Sequence, residues 1–198
     1  YNMATSLPLE EKAKTEKEMT FHERISAKTI HQRLCQTRDT HPARNATSFQ
    51  LKSGPKDKAE TLNWTELTRR TIQAANLFRS LGVRETDVVA YLLPTTNETV
   101  ITLMGGMTAG IVSPINPLLE DDHIAALLRQ SNAKVLVTLK TFPKTDLAEK
   151  AAAAVASAPN VETIVEIDLL KHLSPPLSWI VPFIRPKVSA PHSAKAID

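Results

Sequence analysis

The sequence has 198 residues, 42% hydrophobic and 23% charged, values typical of a globular chain with one packed domain. Its net charge of +3 is small and its basic residues are scattered, which argues against a nucleic-acid surface. Cys35 is the only cysteine, so an internal disulfide and a thiolate metal cluster are excluded, and a reducing, cytoplasmic setting is expected. The most apolar stretch, residues 100–115, is shorter than the roughly 20 residues of a membrane span.

The first 28 residues are rich in Glu and Lys and poor in large apolar groups. We expect a charged extension that is either loosely ordered or a solvated helix. Ile30 and Leu34 lie four residues apart, which indicates a short helix within residues 29–35. A turn then leads into a predicted strand at residues 47–51, and a polar, hairpin-like connection follows at residues 53–60.

The most regular helical pattern lies between Asn63 and Gly82. Asn63 can cap a helix, and Glu66 stands three residues later, where it completes a capping box. Gly82 suits the left-handed position that ends a helix. The side chains predicted to share the buried face are Leu67, Thr71, Ala74, Ala75, Phe78 and Leu81.

Predicted strands and helices alternate between residues 88 and 167. The strands are residues 88–93, 111–115, 134–139 and 163–167, and they are mostly continuous apolar runs. Three helices are predicted between these strands. The first begins at one of residues 95–97 and ends at about 109, the second begins at the acidic residues 120–122 and ends at 129, and the third covers about 144–157. This alternation favours parallel pairing with right-handed crossovers. We therefore predict an α/β fold, with an open, mainly parallel sheet and helices on both faces.

After Asp168 the alternation is predicted to stop, because five prolines oppose long helices and central strands: Pro175, Pro176, Pro182, Pro186 and Pro191. An apolar cluster at residues 177–184 lies inside this segment. It either packs on a further part of a larger protein or, with Arg185 and Lys187 beside it, contacts a membrane surface. Packing is favoured, because the prolines break the long amphipathic helix that a surface anchor needs.

The residue patterns indicate no catalytic, cofactor-binding or metal site. The glycines form no phosphate-binding motif, and Gly105-Gly106 is interpreted as close helix packing. Asp121-Asp122 is interpreted as the start of a helix rather than as metal ligands. Cys35 has no evident activating partner. The histidines show no pair at metal-ligand spacing and are interpreted as solvated or packing side chains: His22, His31, His41, His123, His172 and His192.

Short signals in residues 61–137 resemble, in their order and spacing, the opening of AMP-forming acyl-CoA synthetases and their luciferase and peptide-synthetase relatives. These signals are Trp64-Thr65-Glu66-Leu67, Leu81-Gly82-Val83, Leu92-Leu93-Pro94, Ala109-Gly110 and Pro114-Ile115-Asn116-Pro117. The resemblance covers residues 29–139. Thr86 and Thr95 depart from the family's usual Gly and Asn, and both lie in predicted loops.

The resemblance implies an N-terminal subdomain of an adenylate-forming enzyme, of the fatty-acyl-CoA ligase branch, at residues 29–170. A charged extension at residues 1–28 precedes it, and a Pro-rich tail at residues 171–198 leads to a further part. Family members activate a carboxylic acid with ATP and magnesium as an acyl-adenylate and transfer the acyl group to coenzyme A. The family's phosphate loop, later Glu segment, hinge Asp and C-terminal Lys do not occur in this sequence. No site residue carries over, and this chain alone is expected to be inactive and to bind no cofactor.

Two alternatives remain open at this point. The chain could be a stand-alone α/β module that binds a partner through Trp179, Phe183 and the Pro-rich tail. It could also be a small doubly wound protein that binds a nucleotide or flavin where the strand order reverses.

Overall fold

A computed structural model describes residues 9–51, 54, 59–143, 145–173, 179, 181–182 and 194–197. None of the helices in these ranges is both long and apolar enough to cross a bilayer. The described elements are, in chain order, α1 Leu9–Glu18, α2 Phe21–Arg24, α3 Ile30–Thr40, β1 Asn45–Phe49, β2 Glu60–Asn63, α4 Trp64–Ser80, β3 Val88–Leu92, α5 Asn97–Ala109, β4 Ile111–Pro114, α6 Asp121–Gln130, β5 Ala133–Leu139, α7 Leu147–Ala156, β6 Thr163–Ile167, a 3₁₀ helix Leu169–His172 and β7 Ala194–Ile197.

Five of the described strands form one parallel sheet in the order β4-β3-β5-β6-β7. From β3 the chain moves through α5 to β4 on one side, and then returns through α6 to β5 on the other side. Right-handed crossovers in opposite directions place their helices on opposite faces of a sheet. Accordingly, α5 packs with α4, whereas α6 packs with α7. The predicted open parallel sheet with helices on both faces is confirmed.

Helix α4 begins and ends as its sequence predicts. The Glu66 N–H donates to Asn63 Oδ1 at 2.9 Å, and the Asn63 N–H donates to Glu66 Oε2 at 3.0 Å, which completes the capping box. Gly82 has a φ of +84°, the left-handed conformation that glycine adopts without steric cost. The predicted face is buried in the core, where α4 packs mainly with α5, except that Leu81 is only partly buried.

Helices α4 and α5 approach each other closely at Gly105. A Cβ atom built on Gly105 would lie 2.7 Å from the Cβ of Ala74, too short for any real pair of carbon atoms. On the next residue, Gly106, a Cβ would lie 3.1 Å from Val112 Cγ2. The interpretation of Gly105-Gly106 as a packing contact is confirmed, because a side chain at Gly105 would force the two helices apart.

Strands β1 and β2 form an antiparallel pair apart from the main sheet. The predicted strand at residues 47–51 is present, shifted two residues towards the N-terminus. Strand β2 was not predicted, because its sequence Glu-Thr-Leu-Asn contains only one large apolar residue, Leu62. The pattern is typical of a polar loop that precedes a helix. Leu62 is buried in the core and anchors the pair.

The two ends of the chain differ from each other. Near the N-terminus, α1 is a solvent-exposed helix, which agrees with the solvated-helix alternative. After Asp168, the expectation that the alternation of strands and helices stops is wrong in one respect, because a further strand, β7, pairs in parallel with β6. This strand follows the last proline, Pro191, and occupies an outer position in the described sheet, so it is not one of the central strands that the prolines oppose. The apolar cluster at residues 177–184 lies largely outside the described residues; within it Trp179 is 68% exposed and Val181 is buried.

Candidate functional site

A cavity of about 590 Å³ lies between α4, α5 and the segment that follows β6. Its walls are largely apolar, and charged side chains from all three segments reach it. Apolar walls with a few convergent polar groups are typical of ligand-binding cavities. The lining residues that matter here are Arg70, Leu77, Glu98, Ile101, Leu170 and Lys171.

A group of charged side chains, which we call the Glu98 cluster, lies beside this cavity and consists of Glu60, Arg70, Glu98, Lys171 and His172. Glu98 stands in the first turn of α5, where a carboxylate is favoured by the positive end of the helix dipole. The Asp168 side chain accepts a hydrogen bond from the Leu170 N–H at 3.0 Å. This cap begins the 3₁₀ helix that carries Lys171 and His172 to the cluster.

Two cations and one imidazole contact the two carboxylates. Lys171 Nζ is in direct contact with Glu98 Oε1 and lies 3.5 Å from Glu60 Oε1. Arg70 Nη1 donates to Glu60 Oε1 at 3.1 Å. His172 Nε2 lies 3.2 Å from Glu98 Oε1 and 3.8 Å from Glu60 Oε2. The cluster therefore joins β2, α4, α5 and the 3₁₀ helix.

Asn97 fixes Glu60 in place. The Asn97 side chain is fully buried, and its Nδ2 donates to the backbone oxygen of Glu60 at 2.9 Å and to Glu60 Oε2 at 3.0 Å. Its Oδ1 accepts a hydrogen bond from Thr47 Oγ1 at 3.0 Å. One amide thus ties both strands of the β1–β2 pair to the start of α5.

Both carboxylates of the cluster are held in their charged form. Burial raises the pKa of Glu98, but hydrogen bonds from Lys171 and from the Glu98 backbone, together with the positive charge of Lys171, hold that pKa below its usual value. Burial likewise raises the pKa of Glu60, but Asn97, Lys171 and Arg70 together hold it below its usual value. The two negative charges are therefore balanced by the charges of Lys171 and Arg70.

Asp121, Asp122 and Cys35, for which the sequence indicated no site, each lie in a helix. Asp121 and Asp122 lie in the first turn of α6, as interpreted, and Asp122 contacts its neighbour His123 at 3.1 Å. Cys35 does have a neighbouring group: its Sγ lies 3.7 Å from His31 Nε2 in α3. The four-residue spacing of this pair on one helix is a sequence signal that could have revealed it.

His172 is a packing side chain, which is one of the two interpretations given to the histidines, but it also contacts charged groups. Its side chain is buried between two carboxylates, and its ring packs edge-on against Phe49 with centroids 5.0 Å apart. No local pattern could have revealed this, because Glu60, Glu98 and His172 are far apart in the sequence. His192 lies outside the described residues.

Residues 35–194 match the family of AMP-binding enzymes. The chain belongs to this family. It is 32% identical over 145 residues to the marinolic acid--CoA ligase of Pseudoalteromonas sp. (strain SANK 73390), which covers 73% of this chain and 22% of that ligase. It is 29% identical over 119 residues to the long-chain-fatty-acid--CoA ligase of Bacillus subtilis (strain 168), over 59% of this chain and 20% of that ligase. The chain thus spans about a fifth of the length of these relatives.

A solved ligase structure shares the fold of this chain. The crystal structure of coronafacic acid ligase from Pectobacterium brasiliense superposes with a TM-score of 0.58 at 12% identity, over 70% of this chain and 25% of that protein. At this identity the likeness shows the fold alone. It agrees with the parallel sheet and helical layers described above.

Two glycines of this AMP-binding enzyme chain, Gly105 and Gly110, are closely surrounded by protein atoms. A phosphate site needs backbone amides that face the anion without obstruction. A Cβ on Gly110 would lie 2.6 Å from the carbonyl oxygens of Arg84 and Asp87, and Gly105 faces Ala74. These two positions are filled by protein atoms, so we assign neither glycine to a phosphate group of ATP.

Proposed function

We propose that the protein is an ATP-dependent acyl-CoA ligase that activates a carboxylic acid, preferably a fatty acid, as an acyl-adenylate and transfers the acyl group to coenzyme A. The observation that carries this proposal is the identity to marinolic acid--CoA ligase across almost three quarters of the chain. The similarity to a long-chain-fatty-acid ligase supports the fatty acyl substrate. The single cysteine supports a reducing, cytoplasmic setting.

In this proposal residues 29–170 form an N-terminal subdomain that supplies scaffold rather than reactive groups. The charged residues 1–28 are an extension, and residues 171–198 lead to a further part of the enzyme. The exposure of Trp179 supports a contact made by this last segment, either with that further part or with a membrane surface.

The activity is tested with the full-length protein encoded by the source gene, given ATP, magnesium, coenzyme A and a panel of carboxylic acids of different chain lengths. We expect AMP, pyrophosphate and an acyl-CoA thioester, each identified by mass spectrometry, with the fastest turnover on fatty acids. Formation of ADP, or no activation of any carboxylic acid, would contradict the proposal. Adenylate formation without a thioester would show that coenzyme A is the wrong acceptor.

The 198-residue chain by itself is expected to be inactive, because neither a phosphate loop nor a catalytic lysine motif was found in its sequence. We expect no steady release of pyrophosphate when the purified chain is mixed with fatty acid, ATP and magnesium. Titration with ATP and with FMN tests the alternative of a small nucleotide- or flavin-binding protein, and no heat of binding is expected for either. Saturable binding of FMN would favour that alternative.

A further inference from the structure

We propose that Glu60, Glu98 and His172 form a binding site for a divalent first-row transition metal ion, with zinc as the best match. One oxygen of each carboxylate and one nitrogen of the imidazole all lie within 4.8 Å of one another. Zinc binds such ligands at about 2.0–2.2 Å, so tetrahedral ligand atoms lie roughly 3.4 Å apart. The distances from His172 Nε2 to Glu98 Oε1, 3.2 Å, and to Glu60 Oε2, 3.8 Å, lie on either side of this value.

An unsatisfied carboxylate oxygen points independently to a ligand at this place. Glu98 is only 7% exposed, and its Oε2 is buried without a hydrogen-bond partner among the residues that the structure describes. Lys171 and His172 both contact the other oxygen, Oε1. A buried carboxylate oxygen without a donor is unfavourable, and a metal ion that Glu98 binds through both of its carboxylate oxygens would satisfy it.

The neighbouring residues orient the proposed ligands. Asn97 and Arg70 donate hydrogen bonds to Glu60, and Phe49 packs against the ring of His172. Outer contacts of this kind fix the direction of metal ligands and strengthen binding. The site therefore needs little rearrangement of its ligands.

Lys171 is the cation that competes with the metal. Its ammonium contacts Glu98 and lies 3.5 Å from Glu60, so it occupies the space between the two carboxylates. Its side chain is 44% exposed, so the ammonium can move into solvent when a metal ion replaces it. The imidazole ligand favours zinc and similar ions over magnesium and calcium, which prefer oxygen ligands alone.

The three ligands belong to β2, α5 and the 3₁₀ helix, which are brought together only by the fold. A bound ion would therefore fasten the β1–β2 pair and the segment after β6 to α5. Because the unfolded chain does not hold these ligands together, metal binding should stabilise the folded state.

The test is a titration of the metal-free 198-residue chain with zinc chloride, read by competition with a chromogenic chelator. We expect one zinc ion per chain. With zinc at about 100 times its Kd, the Tm should rise by roughly 5 to 10 °C. Magnesium and calcium at the same concentrations should leave the Tm unchanged.

Substitutions separate a metal site from an ion-pair cluster. E98Q and H172N should each weaken zinc binding by about 100-fold or more, because each removes a ligand. K171M should strengthen binding by about tenfold or more, because it removes the competing ammonium. C35S and H123N are matched controls, since Cys35 and His123 are side chains that can bind metal ions but lie outside the proposed site, and both should leave the affinity unchanged.

Three results would overturn the proposal. These are the absence of zinc binding to the wild-type chain, an affinity that survives both E98Q and H172N, and weaker binding by K171M. If E98Q or H172N fails to fold, as judged by circular dichroism, the wild-type titration and K171M still decide the question. The visible spectrum of the cobalt-loaded wild-type chain provides a further check, because strong d–d bands are expected only from a site of low coordination number. The test does not involve ATP or acyl transfer, so its outcome is independent of the proposed enzyme activity.

Discussion

Replacing Gly105 with alanine should destabilise the protein, although alanine is the better helix former. The added methyl group would lie 2.7 Å from the Ala74 Cβ and 3.3 Å from both the Ala75 nitrogen and the Thr71 oxygen. Two of these neighbours are backbone atoms and the third is a Cβ, so no side-chain rotation can relieve the contact. Helices α4 and α5 would have to move apart.

The two opposing effects can be given magnitudes. Overpacking of a close contact lowers the free energy of unfolding by up to about 3 kcal/mol. The higher helix propensity of Ala relative to Gly raises it by about 1 kcal/mol. We therefore expect G105A to lower the free energy of unfolding by about 2 kcal/mol, which corresponds to a fall in Tm of about 4 to 8 °C for a chain of this length.

The measurement is urea denaturation followed by circular dichroism, with wild type, G105A, A74G and the double variant compared at one pH. Because A74G removes the methyl group that G105A would meet, the double variant should lose less stability than the sum of the two single variants. If G105A were as stable as wild type, or if the two substitutions were simply additive, the proposed contact between α4 and α5 would be wrong.

Three further predictions concern the caps and polar contacts. N63A should lower the free energy of unfolding by about 1 kcal/mol in urea denaturation, whereas N63D, which keeps the capping oxygen, should not. N97A should lower the free energy of unfolding by about 1 to 2 kcal/mol and speed hydrogen exchange in the β1–β2 pair, because the part-buried partners of the amide, Thr47 and Glu60, lose their hydrogen bonds. The Arg84 N–H and the Lys134 ammonium hold the pKa of Asp87 below its ordinary value of 3.8. The charged Asp87 side chain therefore stabilises the folded state above that pH, and this stabilisation is lost as the pH falls through the lower pKa of the folded state. D87N should therefore show a smaller loss of stability between about pH 5 and pH 2 than wild type, and an identical acid dependence would contradict this.

Features encoded by neighbouring residues could be predicted from the sequence. The capping box of α4 depends only on Asn63 and Glu66, and the end of α4 depends only on Gly82. The strands β3, β5 and β6 are recognisable in the sequence as apolar runs. The parallel arrangement followed from their alternation with helices.

Features that depend on distant residues could not be predicted. Strand β2 owes its place to pairing with β1 and to the amide of Asn97, and neither is visible in its own four residues. The Glu98 cluster combines residues from positions 60 to 172, so its charges balance only after the chain has folded. Strand β7 pairs with β6, which is about thirty residues away in sequence.

The lengths of the strands bear on how the protein behaves at high concentration. The outer strand β4 has four residues, whereas β5 in the interior of the described sheet has seven. Pro114 ends β4 and lacks the N–H that a neighbouring chain would need as a donor. A short edge strand of this kind offers another molecule few backbone groups to pair with, so edge-to-edge aggregation through β4 is disfavoured even though the middle of the sheet is strongly apolar.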